Sequence, residues 1–247
     1  MRLDVLLTTA ELQPADVAGK VVAVIDVLRA STSIAVALHH GARGVIPVAS
    51  PEEAAAQAKA LEHDGVLLAG ERRMQPVAGF DLGNSPLEFT PAAVGGKTLV
   101  MTTTNGTAAL LATAGARDVV VASYVNLTVV VALLRAATRS GADAVLVCAG
   151  SERHFSLEDA ACAGRIAKLV AARPGTVALG DAALASILID RRYATNLTRL
   201  FADSTHGKAL TEAGFAGDLA VCAALDAYPV VPVYRDRQIT LLAHRER

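Results

Sequence analysis

Short apolar runs rich in β-branched residues alternate along the chain with longer Ala-rich stretches whose apolar positions recur at helical spacing. Residues 21–27 read as a buried strand, and 30–40 as a helix closed by Gly41. Residues 44–48 form the next strand. Ser50-Pro51-Glu52-Glu53 then opens a helix, with Ser at the N-cap, Pro at the first helical position and Glu at the third. Further strands are predicted at 66–69, 98–102, 118–123 and 144–148, and helices at 106–114, 127–140, 157–171 and 182–192. Two late strands, 230–234 and 238–243, are close enough to pair antiparallel at one edge of a sheet.

Apolar strands separated by helices predict an α/β fold: three layers, α/β/α, around a mainly parallel, mixed sheet covered on both faces. The 247 residues are read as one α/β unit over 1–247, with 123–143 the place where it would subdivide. The longest irregular stretch is 70–91. A loop of that length in a compact domain usually carries function, and this one holds Gly70-Glu71-Arg72-Arg73 and Phe80-Asp81-Leu82-Gly83-Asn84-Ser85-Pro86.

Composition narrows the functional classes. The chain is 53% hydrophobic but only 4% aromatic, and its net charge of -1 gives no global attraction to nucleic acid or anionic membrane. No apolar run reaches the roughly 20 residues of a spanning helix, and the first residues show no long signal-like core. A cytoplasmic location is therefore expected. The three cysteines, Cys148, Cys162 and Cys222, are far apart and fit buried thiols in a reducing compartment. The apolar content is compatible with a homodimer or larger homo-oligomer.

In open α/β sheets ligands bind beyond the carboxyl ends of strands, and three predicted strand ends are polar. The first carries Asp26, Arg29, Ser31 and Thr32. The second carries Thr103, Thr104, Asn105, Gly106 and Thr107. The third carries Gly150, Ser151, Glu152, Arg153, His154, Ser156, Glu158 and Asp159. At 102–107, Gly106 permits close backbone approach and the following helix start favours an anion; equally, Asn105 could simply cap that helix. Asp26 needs a partner, either a metal or a neighbour such as Arg29. Asp159 begins the core-facing stripe of its helix and forms a variant capping box with Ser156, whereas Glu158 falls on the face expected to be solvated. Glu71 and Asp81 could complete an oxygen-rich Mg²⁺ site or be solvated loop charges. Ser85, Pro86 and Glu88 read as a capping box, which leaves Asn84 without a structural role. Asp181 reads as an N-cap, and the histidines show no metal spacing.

Several phosphate chemistries are excluded. Gly95-Gly96-Lys97-Thr98 precedes a strand instead of following one, so it is no P-loop. No G-x-G-x-x-G follows a strand, no second Asp lies two residues beyond Asp26, and no G-x-S-x-G is present.

Five ordered motifs together resemble the 2-phosphosulfolactate phosphatase (ComB) family. They are Asp26-Val27-Leu28-Arg29-Ala30-Ser31-Thr32, Gly70-Glu71-Arg72, Gly79-Phe80-Asp81-Leu82-Gly83-Asn84-Ser85-Pro86, Thr103-Thr104-Asn105-Gly106-Thr107, and Cys148-Ala149-Gly150 with Phe155-Ser156-Leu157-Glu158-Asp159. Gly214-Phe215, Asp218-Leu219 and Asp226 are similar to the family as well, while residues 73–78 depart from its Gly- and Lys-containing pattern. The resemblance implies Mg²⁺-dependent hydrolysis of 2-phosphosulfolactate to 3-sulfolactate and phosphate, in methanogens a step toward coenzyme M. On that basis Asp26 and Asp159 are expected to hold Mg²⁺, with Glu71 or Asp81 completing or orienting its shell. Arg29, Thr104, Asn105, Gly106 and Thr107, with Ser31, Thr32 and Thr103, are expected around the phosphate. Arg72, Asn84 and Ser85 are expected at the sulfonate or carboxylate. The alternatives are a phosphatase of another small phosphorylated hydroxy acid, or a non-catalytic anion-binding protein on the same fold. Carboxylates beside an arginine favour catalysis, because a pure anion binder gains nothing from them.

Overall fold

The computed structural model describes residues 1–61, 65–173, 175 and 177–242. The strands are β1 (Arg2–Leu6), β2 (Val21–Ile25), β3 (Gly44–Pro47), β4 (Val66–Arg72), β5 (Gln75–Pro76), β6 (Thr98–Thr102), β7 (Asp118–Ala122), β8 (Ala144–Cys148), β9 (Ala178–Leu179), β10 (Pro232–Arg235) and β11 (Gln238–Leu241). They form one sheet in the order β5-β4-β6-β3-β11-β10-β7-β2-β8-β1-β9. The helices are α1 (Pro14–Val17), α2 (Ala30–His39), α3 (Pro51–Leu61), α4 (Pro91–Val94), α5 (Gly106–Leu111), α6 (Leu127–Arg139), α7 (Leu157–Val170), α8 (Asp181–Tyr193), α9 (Leu197–Asp203), α10 (Thr205–Glu212) and α11 (Ala216–Cys222).

Successive side chains of a strand point to opposite faces, and that alternation builds the three layers. On β2, Val21, Ala23 and Ile25 enter a core with α6, α7, α8 and α9. Val22 and Val24 enter a second core with α2, α5 and Val94 of α4. At the other end of the sheet, Val100 of β6 packs with Ala54 of α3 on the face opposite Leu99 and Met101.

The late hairpin is not an edge, as its sequence position suggests, but the middle of the sheet. β10 pairs antiparallel with β7, and β11 pairs antiparallel with β3. Val233 and Ile239 are buried there, which gives this short apolar pair its interior place. Residue 243, the predicted end of the second strand, lies outside the described residues. Because the hairpin joins two parallel halves, β4-β6-β3 runs against β7-β2-β8-β1-β9. A sheet twist of about 20–25° per strand accumulates to roughly 100–125° over the five steps from β2 to β6. The carboxyl ends of the two halves can thereby converge instead of lying at opposite ends.

Two other expectations change, and one strand is unpredicted. β1 forms although Asp4 interrupts its apolar run; Leu3 and Val5 alone are buried. β4 continues to Arg72 and turns through Arg73 and Met74, both at positive φ, into β5, so the irregular stretch begins later than residue 70. Asp181 is the first residue of α8 and Gly180 is its N-cap.

Candidate active site

A cavity of about 360 Å³ opens where the two carboxyl ends meet. Its wall contains Asp26, Arg29, Glu71, Asn84, Thr104 and His206, drawn from segments spread along most of the chain. The close approach of β2 and β6 needs Gly106. A Cβ there would stand 2.5 Å from Ala30 Cβ and 2.6 Å from Asp26 Oδ2.

Asp26 follows β2 and is buried. Ala30 N–H donates to its Oδ1 at 3.2 Å, and among the described residues no cation pairs with it. Burial, with the negative charges of Glu71 and Glu158, pushes its pKa up to about 6 against the opposing effects of His206 and the Ala30 N–H. The pairing with Arg29 weighed from sequence does not form. Arg29 Nη1 instead meets Asp218 Oδ2 at 2.7 Å, both side chains fully enclosed. Its Nη2 donates to the Met74 carbonyl at 3.0 Å, and its guanidinium stacks 4.3 Å over the Phe215 ring. Ser85 donates its hydroxyl proton to Asp218 Oδ1. The Ser85–Glu88 capping box is absent: residues 86–88 are only a turn, and Glu88 accepts from Gly83 N–H. A helix cap and an ion-pair partner compete for the same hydroxyl, and the buried carboxylate takes it.

Glu71, at the end of β4, ties the cavity together. Its Oε1 accepts from Thr104 N–H at 2.7 Å, and its Oε2 from Thr104 Oγ1 at 3.1 Å and Met74 N–H at 2.9 Å. Asp159 stands behind the cavity. Its Oδ1 accepts from Val27 N–H at 2.8 Å and its Oδ2 from Gly150 N–H at 3.2 Å, so it clamps the ends of β2 and β8. Burial, then the charges of Asp26 and Glu158, push its pKa well above the usual carboxylate range. The expected Ser156–Asp159 capping box is therefore not made, and Ser156 Oγ has no partner.

The hydroxyl-rich segments divide. Thr103 and Thr107 cap α5 reciprocally, Thr107 N–H to Thr103 Oγ1 at 3.1 Å and Thr103 N–H to Thr107 Oγ1 at 3.0 Å. Asn105 is thus not the capping side chain. It lines the cavity and accepts from Glu152 N–H at 2.9 Å. Ser31 accepts from Asp26 N–H, and Thr32 bonds Val27 and Ser123; both are buried away from the cavity. Arg72 points to Thr102 Oγ1 and the Ala49 carbonyl, and Arg73 lines the cavity in its stead. Asp81 accepts from Leu68 N–H in the loop beside β4, outside the cavity wall. Asn84 is buried in that wall with its Oδ1 unpartnered, while Ser33 donates to its carbonyl.

Glu158 overturns the expectation of a solvated face. It is 1% exposed, and its Oε1 lies 3.3 Å from His206 Nδ1. Arg165 of the same stripe is partly covered by α8, where it meets Asp190 at 2.6 Å, while Lys168 is exposed as expected. His206, Asp218 and Arg73 are the site-lining or supporting residues that strand-end reasoning misses; Glu152, in the polar cluster after β8, lines the cavity without an expected role. His206 and Asp218 sit on α10 and α11, beyond any strand; the Asp218-Leu219 pair within the family-like pattern is the one signal for the latter.

Asp26 and Glu71 on the cavity wall, neither in an ion pair among the described residues, fit a divalent cation. Mg²⁺ takes oxygen ligands and usually keeps waters and substrate phosphate beside one or two carboxylates. Among the described residues no three His, Cys, Asp or Glu side chains converge into a closed metal cage, and no helix is long and apolar enough to cross a membrane.

The chain matches the family described as 2-phosphosulpholactate phosphatase over residues 6–237. It is 41% identical over 227 residues to a probable 2-phosphosulfolactate phosphatase of Symbiobacterium thermophilum, covering 92% of this chain and 96% of the relative. It is 41% identical over 209 residues to one of Thermotoga maritima, covering 85% and 86%. It is 35% identical over 241 residues to one of Clostridium acetobutylicum, covering 97% and 100%.

Proposed function

Because this chain belongs to the 2-phosphosulpholactate phosphatase family and is a phosphoric monoester hydrolase, we propose that it hydrolyses 2-phosphosulfolactate to 3-sulfolactate and phosphate with Mg²⁺ in the Asp26 cavity. The observation that carries this reading is the buried, cation-free carboxylate of Asp26, facing a cavity shared with Glu71, Asn84 and Arg73. A phosphate dianion entering beside bare carboxylates would be repelled, whereas a bound cation reverses the sign of the field.

Asp26 would hold the ion, with Glu71 beside it, and Asp159 would keep the Asp26 loop in place through the Val27 N–H. When bound, Mg²⁺ would neutralise charge on the transferring phosphoryl group. Asn84 lines the same wall: its Oδ1, which has no protein partner, is an acceptor suited to the cation or its waters, and its Nδ2 amide is the group that would donate to an oxygen of the substrate. Thr104 and Asn105 present polar groups on the same wall, although both already bond to protein. Arg29 is committed to Asp218, so Arg73 is the side-chain cation for the sulfonate or carboxylate.

The test measures phosphate release from 2-phosphosulfolactate, 2-phospholactate and phosphoglycerates, with Mg²⁺ and with EDTA. Preferential, EDTA-sensitive release from 2-phosphosulfolactate is expected. Preference for another acid would overturn the substrate assignment, and undiminished release in EDTA would overturn the metal.

A further inference from the structure

Metal and anion binding leave one pair of groups unused: His206 on the cavity wall and the buried Glu158 behind it. His206, in the first turn of α10, is placed beside Glu158 in the first turn of α7, with Nδ1 3.3 Å from Oε1. With Nδ1 engaged, the ring's other nitrogen, Nε2, has no protein partner among the described residues, and His206 lines the same cavity as Asp26 and Asn84. Glu158 is 1% exposed, its Oε2 is unpartnered, and His206 is the largest influence favouring its charged form. Burial by itself would discharge this histidine; the Glu158 hydrogen bond and charge outweigh that and raise its pKa. The carboxylate also fixes the ring's orientation, as the third member of acid–base constellations does elsewhere.

We propose that His206 is the general acid of the reaction, protonating the ester oxygen as it leaves phosphorus, and that Glu158 is its positioning residue. This rests on the phosphatase reading above. As the ester P–O bond breaks and a water oxygen bonds to phosphorus, the Nε2 proton passes to the departing oxygen and gives the free hydroxyl. The nascent phosphate first carries both water protons, as H2PO4⁻, and one of them, directly or through solvent, then returns to restore the imidazolium, leaving HPO4²⁻. An aliphatic alkoxide is a poor leaving group and needs that proton, whereas an acidic phenolate does not.

The experiment compares wild type, His206→Asn and Glu158→Gln on 2-phosphosulfolactate and on an aryl ester, p-nitrophenyl phosphate. For His206→Asn, kcat is expected to fall about 10²–10³-fold on the aliphatic ester and less than about tenfold on the aryl ester. Glu158→Gln should show the same selectivity in smaller measure, with KM unchanged. Because both substrates meet the same folded variant, misfolding would lower both equally. Equal losses on the two esters, or a loss confined to KM, would overturn the general-acid role while wild-type turnover still upholds the phosphatase reading. A wild-type protein that hydrolyses neither ester would overturn both.

Discussion

Arg29 and Asp218, 189 residues apart in sequence, form a fully enclosed ion pair at 2.7 Å, with the Phe215 ring against the guanidinium and Ser85 on the second carboxylate oxygen. The arginine that follows β2 therefore helps to assemble the cavity, holding α11, the 84–85 loop and the Met74 carbonyl together. Its charge is balanced before any substrate arrives.

Removing one partner of such a pair leaves a buried charge uncompensated. Asp218→Ala is expected to lower unfolding free energy by about 3–5 kcal/mol in urea denaturation. The double change Arg29→Met with Asp218→Leu should regain most of that stability, because neither charge remains, yet stay inactive, because the wall formed by Arg29 is rebuilt in apolar groups. Equal stability of Asp218→Ala and wild type would contradict the enclosed pair.

Asp26 sets a pH dependence. Its folded pKa lies near 6, above the ordinary value of 3.8, so the folded protein binds this proton more tightly than the unfolded chain. Its contribution to stability is full below about 4 and is lost as pH rises through about 6. In metal-free protein, the melting temperature of wild type should fall relative to Asp26→Asn between pH 4 and 7. Mg²⁺ competes with the same proton, so its affinity should climb over that window. A constant difference in melting temperature across it would contradict the raised pKa.

The hydroxyls and the amide separate by function. Thr103→Val removes the acceptor for the Thr107 N–H in a buried cap, and should cost about 1–2 kcal/mol of stability with kcat and KM changed no more than a few-fold. Asn84→Ala should instead raise KM for 2-phosphosulfolactate about tenfold or more, since Asn84 lines the cavity and its Oδ1 has no protein partner to satisfy. Thermal melts and steady-state kinetics on the two variants distinguish them. The reverse pattern would place Thr103, not Asn84, against the substrate.

Local pattern reaches part of this arrangement and stops at long-range packing. Alternating strands and helices are legible because the apolar runs of β2, β6, β7 and β8 are buried on both faces, and the polar ends of β2, β6 and β8 are visible as clusters. Position in the sheet is not local information. The late hairpin of Val233 and Ile239 sits in its middle, because its short apolar face fits between two parallel halves. Helical periodicity likewise places Glu158 on a charged stripe, since Arg165 and Lys168 share it, yet α10 brings His206 against that stripe. A capping-box pattern at Ser85 is outcompeted by a carboxylate from α11. In each case the deciding partner lies more than forty residues away.

The most direct measurement is Mg²⁺ titration of phosphate release from 2-phosphosulfolactate by wild type and Asp26→Asn. Wild-type release should be saturable in Mg²⁺ and abolished by EDTA, and the variant should lose at least about a hundredfold in turnover with weakened Mg²⁺ dependence, the scale expected when a metal-holding carboxylate is removed. Turnover and Mg²⁺ affinity left intact in Asp26→Asn would show that the chemistry lies elsewhere in the molecule.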